Sequence, residues 1–199
     1  MSAAALWLDG TFHAFDYAVL AWFHALAARF GSVLTPLANG ISLTGRNGLL
    51  FIAIGLALLC FRRTQRTGVC ALLALGLGAL FVNLLLKPLV ARTRPWEASE
   101  LLRQWWLCTG AAVETDFSFP SGHVNAAAAF STAVTLEGGK LRGVLPAALY
   151  VLLMCASRCY LTVHYPSDVL AGLLCGLLAG ALAFLLVRAF ARRTGNHCI

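Results

Sequence analysis

Long unbroken runs of apolar residues dominate the chain, and their lengths predict its elements. Residues 68–90, 143–163 and 166–187 each supply roughly the 20 positions with which a helix crosses about 30 Å of hydrocarbon. Residues 48–61 and 124–136 are apolar but shorter. A spanning helix at the first must therefore begin before Asn47 or cross a thinned bilayer, and the second must draw on the Ser and Gly ahead of it. Residues 11–30 break the pattern, because His13, Asp16, His24 and Arg29 interrupt the apolar positions and Pro36 follows. This stretch predicts an amphipathic helix lying at the membrane interface, with Trp7, Phe12, Phe15, Tyr17, Trp22 and Phe23 as aromatic anchors and His13 and His24 on its polar face. The fold expected is all-α: a polytopic membrane bundle of five spanning helices, six if residues 11–30 cross, in a single domain over 1–199. Gly76, Gly78 and Ala79 predict close helix packing in the second span.

Composition supports a membrane protein: 60% of the 199 residues are hydrophobic and 12% are charged, about half the charged share of an ordinary soluble domain. A formal charge of +7 raises the question of a nucleic-acid partner, but the cations stand scattered at the ends of apolar runs, where membrane orientation explains them and nucleic acid does not. Arg62, Arg63 and Arg66, then Lys140 and Arg142, then Arg192 and Arg193 fall on one side, which the positive-inside rule assigns to the cytoplasm. Five spans then put the C-terminus in the cytoplasm, and place the loop at 92–120 and the junction at His164 outside. Cys60, Cys70, Cys108, Cys155, Cys159, Cys175 and Cys198 fall mostly inside apolar runs without a C-x-x-C pair, so they predict neither a zinc site nor a disulfide framework. Residues 1–10 lack the basic start and apolar core of a cleavable signal peptide.

Three polar clusters reach the outer face under this topology. In the first, Lys87 and Arg94 stand seven residues apart, close to two turns if the stretch is helical, so both cations would face one spot with Arg92 offset. In the second, Pro120-Ser121-Gly122-His123 opens a predicted helix: Gly122 admits a ligand to the backbone, free N–H groups favour an anion, and His123 stands ready to protonate a departing oxygen. The same residues also fit a plain helix cap. The third joins Arg158, His164 and Asp168, with Pro166 starting the last helix so that His164 lies just before its first turn and Asp168 just within it. An Asp168 carboxylate accepting the Nδ1 proton would leave Nε2 as a nucleophile, although a structural His-Asp contact beside a snorkelling arginine has the same sequence. No clustered set of carboxylates suited to two metal ions is present.

The ordered set Lys87-x6-Arg94-Pro95, Pro120-Ser121-Gly122-His123 and Ser157-Arg158-x5-His164-x3-Asp168 resembles the three-part signature of the type 2 phosphatidic acid phosphatase superfamily, which includes vanadium haloperoxidases. It covers 87–168 strongly, within an expected catalytic core of 83–190, and matches every named position. The resemblance implies a metal-independent phosphatase without cofactor. His164 would form a phosphohistidine with Asp168 orienting it, Lys87, Arg94, Arg158, Ser121 and the Gly122 backbone would hold the phosphate, and His123 would serve the leaving group and then water. The implied partners are the bilayer and a lipid phosphate or diphosphate, undecaprenyl diphosphate first, with phosphatidic acid and phosphatidylglycerophosphate as alternatives. Five apolar spans argue against the haloperoxidase branch. A phosphate-binding carrier would not need His123 and a paired His164-Asp168. Trp96, Glu97, Trp105, Trp106, Glu114 and Asp116 in the outer loop are candidates for headgroup contact or for an aromatic belt.

Overall fold

The computed structural model describes residues 2–139 and 141–193, without the side chain of Leu141. Lys140, used above for orientation, and Cys198 lie outside the described residues. Every regular element among them is helical: α1 Ala3–Gly45, α2 Leu49–Leu59, α3 Gln65–Ala79, α4 Lys87–Val90, α5 Pro95–Ala98, α6 Glu100–Thr109, α7 Gly122–Gly138, α8 Leu141–Tyr160 and α9 Pro166–Arg193. A three-residue 3-10 turn, Arg46–Gly48, joins α1 to α2, and a π-helical stretch, Leu80–Leu86, carries α3 into α4 without a break.

Helix α1 is longer than the pattern predicts and bends at Phe30 (φ −128°, ψ 19°). Its first limb, 3–29, lies across one end of the bundle. Ala5 and Leu8 pack with Val90, Asp9 and Asp16 pair with Arg92, His24 stacks on Trp105 with centroids 4.6 Å apart, and Phe23 meets Tyr160. The expected anchors divide: Phe12 packs inward, whereas Trp7, Phe15 and Trp22 stay exposed. Beyond the bend the helix descends along α8, through Thr35 Oγ1 to Tyr160 Oη (2.7 Å) and Thr44 Oγ1 to Tyr150 Oη (2.6 Å).

Four stretches are long and apolar enough to cross a membrane: Ala3–Leu59, Gln65–Ala98, Arg142–Tyr160 and Pro166–Arg193. The expected fifth span, α7, has 17 residues, about 26 Å at 1.5 Å per residue, and falls outside these four by its length. This helix packs against α3, α8 and α9, and Ala127, Ala128, Ala129 and Ala133 on it are fully buried. A helix enclosed by protein needs small side chains for close approach, not the length and bulk that lipid contact demands. Leu84, Leu145, Leu152, Leu178 and Leu185 point outward instead, forming the apolar surface that a bilayer would cover.

Close packing is set mainly by glycines other than those expected. Gly76 meets nothing, whereas Gly172, Gly176 and Gly180 line one stripe of α9: a Cβ there would stand 2.5 Å from the Ser121 oxygen, 2.5 Å from the Asn125 oxygen and 2.8 Å from the Ala129 oxygen. The α9 backbone therefore touches α7 and the turn before it, and this fixes Ser121 relative to Asp168. Gly78 does press on α7, at Asn125. At the opposite end Arg66 pairs with Glu137 (3.1 Å), so the basic turns and the first limb of α1 occupy different ends of the bundle. The six described cysteines are free.

Candidate active site

The last turn of α8 unwinds: Val163 N reaches back to Arg158 O (3.4 Å), Thr162 turns over at φ 54°, and Pro166 starts α9. His164 is held in this crook, 1% exposed, with Asp168 in the first turn of α9 accepting from Tyr165 N (3.0 Å). The expected direct contact between them is corrected, since His164 Nδ1 and Asp168 Oδ2 are 3.7 Å apart. Ser118 stands between. Its hydroxyl donates to Asp168 Oδ2 (2.5 Å) and lies 3.4 Å from Nδ1. With that proton committed to the carboxylate, the oxygen is left to accept an Nδ1 proton, which selects the tautomer whose Nε2 carries the ring's lone pair.

Behind Asp168 lies a sealed network. Arg92 Nη1 donates to Asp168 Oδ1 (2.6 Å) and Ser167 Oγ (2.8 Å), Nη2 to Asp16 Oδ2 (2.9 Å) and Nε to Asp9 Oδ1 (2.8 Å). Asp16 also accepts from Ser167 N (2.8 Å) and Ser167 Oγ (2.7 Å). A buried charge is costly unless paired and hydrogen-bonded, and here the buried carboxylates Asp16 and Asp168 each have several donors.

In front of Nε2 the charges are arranged differently. Arg94 Nη1 lies 3.4 Å away and Glu114 Oε2 3.8 Å. Arg94 Nη1 donates to Val163 O (2.8 Å), and Nη2 meets Asp116 Oδ1 (2.6 Å) and Glu114 Oε2 (2.8 Å). Arg158 pairs with Glu114 and donates to Ser42 Oγ (2.5 Å), while Lys87 pairs with Asp116. The two-turn argument for Lys87 and Arg94 is corrected, because the helix stops at Val90, Ala91 adopts φ 49° and Arg94 is extended (ψ 155°). The chain reverses there, and both cations still converge on Asp116.

Ser121 occupies the N-cap position of α7 but makes no capping bond; its hydroxyl is buried without a partner, as is Arg158 Nε. The capping alternative therefore leaves the hydroxyl unexplained, since a buried polar group without a partner calls for one. Gly122 and His123 line a cavity of about 790 Å³ together with Lys87 and His164, and it continues past Leu43, Ile52 and Leu72. Its lining is both charged and apolar. All eight residues expected from the sequence thus converge: Lys87, Arg94, Ser121, Gly122, His123, Arg158, His164 and Asp168.

Burial, then the charges of Arg94, Arg158 and Lys87, hold the His164 ring well below its ordinary pKa, so it is neutral. Burial pushes Glu114 up, but Arg158 and Arg94 outweigh it and hold the carboxyl below its ordinary range. Burial likewise opposes, and Lys87 and Arg94 outweigh, at Asp116, which is also held low. Both loop carboxylates are anions standing among the cations.

Sequence reasoning missed Ser118, Asp16 and the role of Arg92. It left Glu114 and Asp116 as loop candidates, whereas both enter the site. Trp105 packs against α1 at Tyr17 and His24, and Trp96 stacks on Trp106 at 5.0 Å.

The family model of the PAP2 superfamily matches residues 67–192. A decaprenylphosphoryl-5-phosphoribose phosphatase of Mycobacterium tuberculosis is 32% identical over 153 residues, 74% of this chain and 76% of its own. An undecaprenyl-diphosphatase of Sulfolobus acidocaldarius is 28% identical over 63% of this chain, which spans 57% of that relative's length. Among solved structures, a transmembrane PAP2-type phosphatidylglycerolphosphate phosphatase from Bacillus subtilis superposes with a TM-score of 0.68 at 29% identity, covering 94% of this chain and 92% of that one.

Proposed function

Because the chain belongs to the PAP2 superfamily and is a multi-pass membrane lipid phosphatase of that metal-independent type, we propose that it hydrolyses a lipid diphosphate at the extracytoplasmic face through a phosphohistidine on His164. The observation that carries this reading is the unprotonated Nε2 of a neutral, Ser118-oriented imidazole, 3.4 Å from Arg94 Nη1 and on the wall of a cavity that Lys87 also lines.

In the proposed reaction the substrate phosphate displaces Glu114 and Asp116 from the three cations and takes up the Ser121 hydroxyl and the first-turn N–H groups of α7. Nε2 attacks phosphorus, and the bond to the lipid-side oxygen breaks with its electron pair going to that oxygen. His123, whose protonated form the arriving phosphate favours, supplies a proton where the leaving group needs one. His123, neutral once that proton has left with the departing lipid phosphate or alcohol, then takes a proton from water, whose oxygen attacks the phosphohistidine and releases phosphate and His164. Phosphoryl transfer depends on positioning and charge stabilisation, and three cations with helix-terminal N–H groups supply both.

Undecaprenyl diphosphate is the first candidate, supported by the Sulfolobus relative and by a cavity lined by both charged and apolar residues. Phosphatidylglycerophosphate is the second, favoured by the likeness to the Bacillus structure. The arginine-rich turns support a cytoplasmic C-terminus, with the first limb of α1 lying at the outer interface. Purified protein in detergent, assayed on these lipids and phosphatidic acid with EDTA present, is expected to release phosphate fastest from undecaprenyl diphosphate, and His164→Ala to lose at least 10³-fold. Turnover abolished by EDTA, or retained in His164→Ala, overturns the mechanism.

A further inference from the structure

The candidate span Ala3–Leu59 is broken in its interior. Helix α1 stops at Gly45, Asn47 and Gly48 adopt φ 53° and 66°, and α2 restarts at Leu49. Thr44 bonds Tyr150, ten residues before the α8 terminus at Tyr160, so the break lies about 15 Å inside that end at 1.5 Å per residue. Irregular backbone at membrane depth is tolerated where it lines a polar cavity, and this break does so: Arg46 and Asn47 border the cavity that holds Lys87, His123 and His164.

Two observations single out Arg46. Among the described residues no carboxylate pairs with it, whereas Lys87, Arg94 and Arg158 each have Glu114 or Asp116. Arg46 is exposed at the border of the cavity, so its guanidinium is open to an anion there. The residue before it, Gly45, lies against the His123 ring so tightly that a Cβ would stand 2.9 Å from Cδ2 and 2.8 Å from Met154 Cε. Arg46 therefore directly follows a residue packed against the imidazole given the leaving-group role above.

We propose that Arg46 is a second anion subsite, holding the phosphate that stays on the lipid, and that it makes the enzyme select diphosphates over monophosphates. The inference rests on the roles given above to His164 and His123. When an alcohol leaves from a monophosphate, its oxygen needs a proton. When the terminal phosphorus of a diphosphate is attacked, the bridging oxygen keeps the electron pair and departs as part of a lipid monophosphate. That group carries extra negative charge, and a cation on the His123 side stabilises it. The three paired cations hold the phosphate being transferred, and Arg46 supplies the fourth charge.

Farnesyl monophosphate and farnesyl diphosphate differ only in that second phosphate and serve as the probes, with full-length protein in detergent. Wild type is expected to favour the diphosphate in kcat/KM, and Arg46→Gln to lower the diphosphate-to-monophosphate ratio on the order of 30-fold, the scale of a charge-assisted hydrogen-bonded contact. Arg46→Lys should keep most of the ratio, and Arg46→Met, which retains an apolar stem, should lose it as Gln does. An equal loss on both substrates in the Gln and Met variants, or a ratio within twofold of wild type, overturns the subsite while leaving the phosphatase reading intact. Wild type inactive on both probes, or His164→Ala active, overturns that reading and the subsite with it.

Discussion

The two sides of the His164 ring are built on opposite plans. Behind Nδ1, Asp168, Arg92 and Asp16 have side chains at most 3% exposed and are held by short bonds to Ser118, Ser167 and one another. Facing Nε2, Arg94, Arg158 and Lys87 have side chains at most 7% exposed, yet their partners are loop carboxylates with side chains 22% exposed at Glu114 and 55% at Asp116. The back must keep one geometry through every turnover, so it is sealed. Under the proposed mechanism the front exchanges one anion for another, and its carboxylates sit on a loop near water. Preorganisation belongs on the first side, and replaceable charge neutralisation on the second.

The contrast breaks most severely at its centre. Asp168→Asn turns one of the two acceptor oxygens into a donor, which sets an NH2 against either Ser118 and Tyr165 N or Arg92, and is expected to lower kcat by on the order of 10³-fold through a misassigned tautomer. Phosphate release under substrate saturation measures it, and a loss below tenfold would mean that Ser118 orients the ring unaided. Asp16→Asn acts from farther away through Arg92 and should cost about tenfold in kcat with little change in KM. An effect confined to KM would remove Asp16 from the back network.

Opposite behaviour is expected in front. Glu114→Gln takes away an internal competitor, so orthovanadate, a phosphate mimic, should inhibit about tenfold more tightly. Weaker inhibition would show that Glu114 helps to bind the anion. The smallest effect is on pH. Because burial and three cations hold His164 well below 6.5, protonation of the nucleophile should reduce kcat/KM only on the acid side of that value. A profile over pH 4–8, corrected for the phosphate's own ionisation near 6, tests this, and a His164 limb at or above 6.5 contradicts the sign.

Legibility in the sequence differed between these sides as well. The eight expected residues could be read because their spacing is local: Pro166 fixes the start of α9, and His164 and Asp168 flank it. The helical spacing of Lys87 and Arg94 gave the right convergence for the wrong reason, since Ala91 ends the helix between them. Ser118 and Asp16 carry no such signal. A lone serine in a loop and an aspartate in an apolar N-terminal helix acquire roles only when α1 is laid across the end of the bundle.

What the chain order alone determined is the helical membrane class, the three clusters and the chemistry they suit, because hydrophobic run length and short spacings are local properties. Tertiary structure decided that α7 is enclosed, that Gly172, Gly176 and Gly180 bring α9 against it, that Ser118 stands between His164 and Asp168, and that Arg46 borders the cavity. Each of these depends on residues far apart in sequence sharing a few ångströms, and no local periodicity encodes such a distance.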